Sequence, residues 1–251
     1  MKKPLSYLFG MHAVQSLIEH HPERISRLWV QKERCDHKME VIIQLAKHGH
    51  IAIETVSKRT LDQLTQEANH QGVLAFCLKD RVLAEDDLKE KLQQLSESAF
   101  VLILDGIQDP HNLGAILRSA DAFGVHAVIA PKDQAVGITA TVSKVASGAA
   151  ESIDFYQVTN LVRTIEMLKT CGIWIYGADM EAKQNLYQAQ LSGPCAIALG
   201  AEGKGLRRLT KEHCDQLIHI PMRGEVASLN VSVATGIFLF EVARQRFYIN
   251  P

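Results

Sequence analysis

The stretch LDGIQDPHNLGAILRSADAFG, residues 104–124, indicates the fold class of this chain. It continues an apolar run of strand length, passes through a polar turn that contains Pro110, and then repeats apolar residues at helical spacing until Gly124. A short apolar run predicts a buried strand, and apolar residues every three or four positions predict an amphipathic helix. The stretch therefore predicts a strand followed by a helix, the repeating unit of an α/β fold.

The same alternation extends in both directions. Residues 1–79 contain three helix patterns and three strand patterns, which predict a small α/β domain. Residues 98–251 are richer in Gly and Ala and alternate further strand patterns with helices, which predicts a larger α/β domain. Between them, residues 80–97 hold six acids and three bases with helical spacing of their leucines. We interpret this segment as an acidic linker with a helical portion.

Composition excludes several classes of protein. The chain has 251 residues, of which 47% are hydrophobic and 22% charged, and these values exclude a wholly disordered, collagen-like or coiled-coil chain. The net charge is −1, so a nucleic-acid partner must be met by a local patch. Residues 1–79 carry 11 bases against 8 acids and seven of the 11 histidines. That excess is compatible with RNA docking, although an ordinary charged surface explains it equally well.

The cysteines indicate a reducing environment. The five cysteines are scattered and have no C-x-x-C spacing, so they predict neither a disulfide framework nor a zinc site. The first residues hold two lysines but no apolar stretch of signal-peptide length, and the longest apolar runs, such as AFVLIL at 99–104, are of strand length. We therefore expect a cytoplasmic protein.

Three segments could carry chemistry, and the first is the stretch quoted above. Asn112 is placed where the N-cap of the predicted helix belongs, a structural role that needs no function. Gly114 and Arg118 are four residues apart and therefore share a helix face. An arginine one turn from a glycine leaves room for a phosphate or ribose, and a solvated surface arginine is the competing interpretation.

The second segment is CAIALGAEGKGLRRLT, residues 195–210. A strand pattern runs into a loop with glycines at 200, 203 and 205 around Glu202, and a helix is predicted to begin near Leu206. Glycine-rich strand ends allow a ligand to approach the backbone closely. The glycine order differs from the dinucleotide fingerprint, and no Walker A ending follows, so NAD and ATP are not the expected ligands. Glu202 could equally be a solvated turn residue beside Lys204.

The third segment is HIPMRGEVASLNVSVATGIFLFEVARQR, residues 219–246. Its helix pattern is apolar almost all round from Val231 to Val242, which predicts burial in a core or between subunits. Gly236 costs such a helix about 1 kcal/mol relative to alanine, which is tolerable where something packs closely against it. Ser228 and Asn230 are placed to cap the helix, and Ser228 has no histidine nearby that would make it a nucleophile.

As a set, the three segments resemble a known family. NLGAILR at 112–118, IALGAEGKG at 197–205 and IPMRGEVASLNVSVATGI at 220–237 are similar, in order and spacing, to the three motifs of the SpoU (TrmH-type) RNA 2′-O-methyltransferases of the SPOUT superfamily. The resemblance is strongest to the bacterial members that methylate a guanosine of 23S rRNA. YLFGMHAVQSLIE, GVHAVIAPKD, SKVASGAAE and VTNLVRTIEML extend it over nearly the whole chain.

The resemblance implies a specific architecture. Residues 98–251 would form the SpoU methyltransferase domain, an α/β fold with a parallel sheet and a deep trefoil knot toward its carboxyl end. Residues 1–79 would form an L30e-like domain that holds the RNA substrate, joined through the linker at 80–97. Members of the family are homodimers through the carboxyl-terminal helix, a role that suits the nearly all-apolar helix from Val231.

The resemblance also implies a reaction: transfer of a methyl group from S-adenosylmethionine to the ribose 2′-hydroxyl of a guanosine in the peptidyl-transferase region of 23S rRNA. The donor already carries a positive charge, so no metal is expected. By motif position, the catalytic residues would be Asn112, Arg118, Glu202, Ser228 and Asn230. The cofactor-binding residues would be Leu199, Gly200, Gly203, Ile220, Met222 and Leu229.

Within that scheme, Arg118 is a poor general base, because a guanidinium stays protonated in proteins. We expect it to bind the adjacent phosphate and stabilise the developing alkoxide, while a phosphate or Glu202 accepts the proton. Four alternatives remain. Two are enzymes of the same class, one that acts on transfer RNA and a resistance methyltransferase that acts elsewhere on ribosomal RNA. The others are an inactive rRNA-binding or assembly factor that kept the fold and a small-molecule α/β enzyme with a phosphorylated cofactor.

Overall fold

The computed structural model describes residues 6–32, 34, 36–77, 83 and 85–248. These residues divide into two compact units. The first draws on Met1–Arg81 and Ser147–Ser152, and the second on Val82–Ala146 and Ile153–Pro251. The division into 1–79, 80–97 and 98–251 stays a prediction, and its residues 78–82 and 84 lie outside the described part of the chain.

The first unit is a four-stranded sheet with helices on both faces. Strand order is β1-β4-β2-β3; β2 and β3 are parallel, and the other pairs are antiparallel. With strands and helices of the whole chain numbered in order, its elements are β1 (Ser6–Phe9), α1 (Met11–His20), β2 (Ile25–Gln31), α2 (His37–His48), β3 (Ile53–Val56), α3 (Lys58–Thr65), β4 (Val73–Cys77) and α7 (Ala149–Ser152).

Alternation along β2 explains the layers of this unit. Leu28 and Val30 pack into a core with α1 and α2, whereas Trp29 between them packs with Leu61 of α3 on the other face. The segment that carries α7 packs against α1, where the Ser16 hydroxyl donates to the Gly148 carbonyl at 3.0 Å. The similarity of this unit to an L30e-like fold stays a prediction.

The second unit contains seven strands among the described residues, and all of their pairings are parallel. Strand order is β7-β6-β5-β10-β8-β11-β9. The predicted α/β class with a parallel sheet is therefore confirmed. The elements are α4 (Glu85–Gln94), β5 (Phe100–Asp105), α5 (Pro110–Ala122), β6 (Ala127–Pro131), α6 (Ala140–Ala146), β7 (Phe155–Val158), α8 (Leu161–Thr170), β8 (Trp174–Ala178), β9 (Gln184–Asn185), β10 (Cys195–Gly200), α9 (Arg208–His213), β11 (Gln216–His219) and α10 (Val231–Ala243).

Successive strand residues bury against two different helix layers. Val101 and Ile103 of β5 pack with leucines of α4 and α8. Leu102 and Leu104, which alternate with them, are equally buried and face the opposite layer, where α5 packs against α6 and α10. The sheet is thus covered on both faces, as a parallel sheet requires.

Helix α4 is the helical portion predicted within residues 80–97. Its Leu88 and Leu92 are buried in the core of the second unit, and Lys91 forms an ion pair with Asp154. Glu85 at its start accepts hydrogen bonds from Thr164 Oγ1 at 2.7 Å and Arg163 Nη2 at 2.9 Å. The helix is therefore an integral part of this unit and not an unattached tether.

Arg246, in a π-helical turn after α10, anchors the end of that helix. Its guanidinium donates to the carbonyls of Ser98, Ala99 and Gly193 at 2.7–2.9 Å and lies 4.9 Å from the Phe100 ring centroid. The carboxyl-terminal helix is thereby joined to the amino-terminal edge of the sheet. Within the described ranges, no helix has the length and apolarity needed to cross a bilayer.

Candidate active site at the carboxyl edge of the sheet

The neighbouring strands β5 and β10 form the point at which the chain changes direction across the sheet. Helix α5, which follows β5, packs with α6 and α10, whereas α9, which follows β10, packs with α8 on the other face. Chains that leave adjacent parallel strands toward opposite faces open a crevice between the carboxyl ends of those strands. The segments that follow β5 and β10 and carry Asn112 and Glu202 both start from this crevice.

The amino terminus of α5 differs from the prediction. Asp109 is the N-cap, because its Oδ1 accepts a hydrogen bond from the His111 backbone N–H at 2.9 Å, and Pro110 occupies the first helical position. The predicted N-cap at Asn112 is therefore wrong, since Asn112 lies inside the first turn. The sequence favoured Asn112 over an equally suitable aspartate three residues earlier. Its amide is consequently available for other contacts.

Asn112 is the centre of a hydrogen-bonded chain across three segments. Its Nδ2 donates to Glu202 Oε2 at 3.5 Å, and its Oδ1 accepts from Asn230 Nδ2 at 3.0 Å. The chain therefore runs in one direction: the Asn230 amide donates to Asn112, and the Asn112 amide donates to the Glu202 carboxylate. Glu202 is exposed and keeps acceptor positions that a ligand can use.

Asn230 also caps α10, the role that the sequence predicted for it. Its Oδ1 accepts from the Ser232 backbone N–H at 2.9 Å and from the Ser232 hydroxyl at 2.6 Å. Since Oδ1 serves the cap, only Nδ2 can face Asn112, and the orientation of the amide is fixed by its neighbours. The structural and the functional interpretation of Asn230 are thus compatible.

Two of the predicted catalytic residues lie outside this chain of contacts. Arg118 is exposed on α5, about 9 Å along the helix axis from Asn112, and its guanidinium makes no hydrogen bond or ion pair within the described residues. Ser228 is exposed in the loop before α10, and its hydroxyl likewise has no hydrogen-bond partner in the described part of the chain. Their catalytic roles stay predictions.

Gly114 does not serve the purpose inferred from its spacing. A Cβ at this position would lie 2.6 Å from Val145 Cβ and 2.9 Å from the Val142 carbonyl oxygen. The space above Gly114 is therefore filled by α6 and does not admit a phosphate or ribose next to Arg118. The glycine is required because α5 and α6 pack closely, a contact that spacing within one helix cannot reveal.

The glycine-rich loop after β10 has one closed and one open part. A Cβ on Gly200 would collide with the backbone of Gly205 and Leu206, so this glycine allows the loop to fold back over the strand end. The loop is closed by a hydrogen bond from the Gly205 N–H to the Ala201 carbonyl at 2.8 Å. At Gly203 and Gly205, in contrast, a Cβ would meet nothing within 4 Å. Both positions offer open backbone to a ligand.

The predicted cofactor residues all derive from the carboxyl edge of the sheet. Leu199 is 2% exposed near the end of β10, and Ile220 and Met222 follow β11, two strands away. Leu229 is half-buried immediately before α10, whose residues contact β10. Apolar side chains and open backbone without charge fit an adenosine group that is bound through backbone groups. The assignment of these six residues stays a prediction.

Sequence reasoning missed one charged pair at this edge. Asp105, at the end of β5, is 1% exposed, and its Oδ2 accepts from the Arg207 backbone N–H at 2.9 Å. Its Oδ1 lies 3.0 Å from Arg207 Nε. A buried carboxylate requires such a partner, so the pair fixes the loop after β10 to the end of β5. The available signal was an aspartate that directly ends an apolar strand.

The buried thiols are not nucleophiles at neutral pH. Burial raises the pKa of Cys195 to about 11, although the nearby Arg246 opposes the shift, and burial raises the pKa of Cys214 to about 12. Both thiols are therefore protonated at pH 7. The described residues also contain no group of three or more His, Cys, Asp or Glu side chains that could hold a metal ion.

Two protein families match the chain. The SpoU rRNA Methylase family matches residues 99–240. The family described as RNA 2′-O ribose methyltransferase substrate binding matches residues 7–82.

Curated relatives match over nearly their whole length. The 23S rRNA (guanosine-2′-O-)-methyltransferase RlmB of Shewanella oneidensis is 54% identical over 246 residues, which cover 98% of this chain and 99% of the relative. The protein of the same name from Escherichia coli is 50% identical over 239 residues, which cover 95% and 98%.

Solved structures share the fold. The SpoU methyltransferase AviRb from Streptomyces viridochromogenes, in complex with the cofactor AdoMet, has a TM-score of 0.78 at 21% identity, and the match covers 96% of this chain and 90% of that one. At this identity the likeness shows the fold alone. A structure described as an RNA 2′-O ribose methyltransferase has a TM-score of 0.75 at 26% identity, with coverage of 96% and 88%.

Proposed function

Because the chain belongs to the SpoU rRNA methylase family, we propose that it transfers a methyl group from S-adenosylmethionine to the ribose 2′-hydroxyl of a guanosine in 23S rRNA. Support comes from the two RlmB relatives, which are at least 50% identical over nearly their whole length. The structural observation that carries the proposal is the hydrogen-bonded chain Asn230–Asn112–Glu202 at the sheet edge. The resemblance further implies a guanosine in the peptidyl-transferase region.

The reaction requires removal of a proton from a weakly acidic hydroxyl. S-adenosylmethionine, when bound, supplies an electrophilic methyl group on a positively charged sulfur. The exposed carboxylate of Glu202 would accept a hydrogen bond from the 2′-hydroxyl and take its proton, and the methyl group would pass to the 2′-oxygen as its bond to sulfur breaks and the neutral thioether leaves. Asn112, held by Asn230, donates to the same carboxylate and keeps it directed toward the crevice.

Arg118 stabilises negative charge in the reaction and does not remove the proton of the 2′-hydroxyl. Its guanidinium is exposed and has no partner among the described residues, so its donors are available to the RNA. It binds the phosphate next to the target ribose and stabilises the negative charge that develops on the 2′-oxygen. Ser228, in the exposed loop before α10, supplies a further hydroxyl donor or acceptor at the target nucleotide.

In this proposal the cofactor would bind between the ends of β10 and β11. Open backbone at Gly203 and the apolar side chains of Leu199, Ile220, Met222 and Leu229 would hold its adenosine part, while Gly200 shapes the loop. The finer fold belongs to the same proposal: a deep trefoil knot toward the carboxyl end, and an L30e-like first unit that holds the RNA. The match of residues 7–82 to a substrate-binding family supports the second assignment.

The exposed face of α10 supports a homodimer. Val233 is 52% exposed, Phe240 is 54% exposed, and Ile237 lies between them on the same face. The sequence predicted burial of this helix in a core or between subunits, and the described part of the chain leaves much of this face exposed. A second copy of the chain, related by a two-fold axis, would cover it. The proposed substrate is ribosomal RNA, and the cytoplasm is accordingly the proposed location.

Mapping of methyl groups tests the proposal. The purified chain is incubated with S-adenosylmethionine and unmodified 23S rRNA, and 2′-O-methylguanosine is located by mass spectrometry. We expect one new 2′-O-methylguanosine, and its absence with Glu202→Gln at equal cofactor affinity. Methylation of transfer RNA instead would support the other family activity. RNA binding without any methyl transfer would support an inactive assembly factor.

A further inference from the structure

A groove of about 580 Å³ lies at the carboxyl edge of the sheet, next to the ends of β6 and β7. Three segments line it: Pro131, Asp133 and Gln134 at the end of β6 and just after it, residues 159–162 at the start of α8, and residues 207–210 at the start of α9. All belong to the second unit. None of these residues has a role in the reaction derived above.

Arg207 is held in this groove by the buried carboxylate of Asp105. The carboxylate accepts a hydrogen bond from the Arg207 backbone N–H and forms an ion pair with its Nε. The two terminal amino groups of the guanidinium are left for a ligand. The side chain of Arg207 is 45% exposed. Nη2 lies 3.4 Å from where a Cβ of Gly106 would stand, so the absence of a side chain there gives the guanidinium its place.

Beside Arg207, the lining combines apolar side chains, the carboxylate of Asp133, and polar groups that can hydrogen-bond to an occupant. Gln134, Thr159 and Thr210 contribute amide and hydroxyl groups. Arg208, also in the lining, pairs with Glu212 at 2.7 Å, and the exposed Lys132 lies between two lining residues. A guanidinium with a fixed orientation loses little conformational freedom when it binds, and its fork matches the geometry of a phosphate.

The position of the groove indicates the source of that phosphate. The groove lies next to the ends of β6 and β7, whereas Ile220 and Met222 of the proposed cofactor residues follow β11, on the other side of β10 in the sheet. The loop from Ala201 to Gly205 follows β10 and leads to Arg207. Glu202 is on this same loop. A polynucleotide whose target ribose reaches Glu202 would extend into the groove without displacing the cofactor.

We propose that this groove binds the backbone phosphate of a nucleotide adjacent to the target guanosine, with Arg207 as the phosphate ligand and Asp105 as the residue that positions it. This inference rests on the proposed function, because the occupant is the substrate RNA. It extends that function by a binding site that is distinct from Arg118 and from the residues at Glu202.

Binding of a 23S rRNA transcript at several salt concentrations tests the groove. The informative variant is Asp105→Asn with Arg207→Gln, because removal of the arginine alone would leave a buried carboxylate without its partner. We expect RNA affinity to fall about tenfold and the dependence of log K on log salt to lose about one unit of slope, since one phosphate contact is lost. The affinity for S-adenosylmethionine should stay within about twofold of the wild type, because the cofactor residues are elsewhere.

Arg163→Gln is the matched control, since Arg163 is an exposed arginine of the same unit that does not line the groove. It should leave RNA affinity and salt slope unchanged. The groove proposal is overturned if the double variant keeps wild-type affinity and slope, if it loses cofactor affinity in parallel, or if Arg163→Gln weakens RNA binding equally. A wild-type chain that neither binds nor methylates 23S rRNA overturns the proposed function together with the groove.

Discussion

Asn230 donates from Nδ2 to Asn112 Oδ1 across 3.0 Å, although 118 residues separate the two in the chain. The contact joins the first turn of α5 to the start of α10. Two further pairs continue the alignment: Ser119 faces Gly236, and the rings of Phe123 and Phe240 meet edge to face at 6.2 Å. The two helices therefore run side by side in the same direction, and their amino termini meet at Glu202.

Asn230→Asp separates the two roles of this residue. Aspartate caps a helix as well as asparagine does, so the free energy of unfolding should change by less than about 0.5 kcal/mol. The substitution removes the donor to Asn112, whose amide then turns toward the new carboxylate and away from Glu202. We expect the rate of methyl transfer to fall about tenfold or more. Asn230→Ala should lose the same activity and also about 1 kcal/mol of stability. Wild-type turnover in Asn230→Asp would exclude the amide from the reaction.

Arg118→Ala should lower the rate of methyl transfer about 10² to 10³-fold, because a charge-stabilising donor of the transition state is lost. Cofactor affinity, measured by calorimetry, should not change, since Arg118 is exposed and belongs to none of the segments that carry the proposed cofactor residues. Arg163→Ala removes another exposed arginine of the same unit and serves as the control. Turnover of Arg118→Ala within a few-fold of the wild type would contradict the role assigned to it.

Ile237→Lys should dissociate the proposed dimer, because it places a charge in the apolar face formed with Val233 and Phe240. Light scattering after size-exclusion chromatography would show a dimer for the wild type and a monomer for the variant. Met180→Lys, which changes a single exposed apolar residue after β8, should leave the dimer intact. A wild type that is monomeric at micromolar concentration would refute the proposed assembly.

Cys195 should make stability depend on alkaline pH. Its pKa in the folded chain is raised to about 11 from an ordinary value near 9, so its contribution is fully present below about pH 9. Between about pH 9 and 11 the unfolded chain ionises this thiol and the folded chain does not, so stability falls as pH rises. Urea unfolding of the wild type and Cys195→Ala should show their difference in stability change by about 2 kcal/mol across this window. A constant difference would show that the thiol titrates normally.

The sequence predicted the elements well and several contacts poorly. The apolar periods of β5, α5 and α10 are local, and their positions agree with the prediction. The function of Gly114 is not local, because it depends on α6, and the spacing to Arg118 led to the wrong interpretation. Gly236 is a similar case: a Cβ there would meet only Ser119 Oγ, at 3.9 Å, so no close packing within the chain accounts for it.

Prediction of the site had the same limit. The motifs identified Asn112, Glu202 and Asn230 as separate residues, whereas their connection depends on the parallel placement of α5 and α10. Asp105 and Arg207 belong to no pattern that periodicity detects, since a buried charged pair is visible only when both strand ends are in place. Contacts across a hundred residues are set by topology, and a single sequence carries little signal for them.

The strand order of the second unit makes the site depend on a strand that comes late in the chain. Strand β10 lies between β5 and β8, both of which precede it in the chain. The centre of the sheet therefore stays open until residues 195–200 enter it, and Glu202 and Asn230 follow later still. Closure over such long separations is slow, because chain entropy is lost before the contacts form. Since Glu202 follows β10 directly, the site is complete only when β10 is in place, and a molecule without it can hold the outer strands and still lack the site.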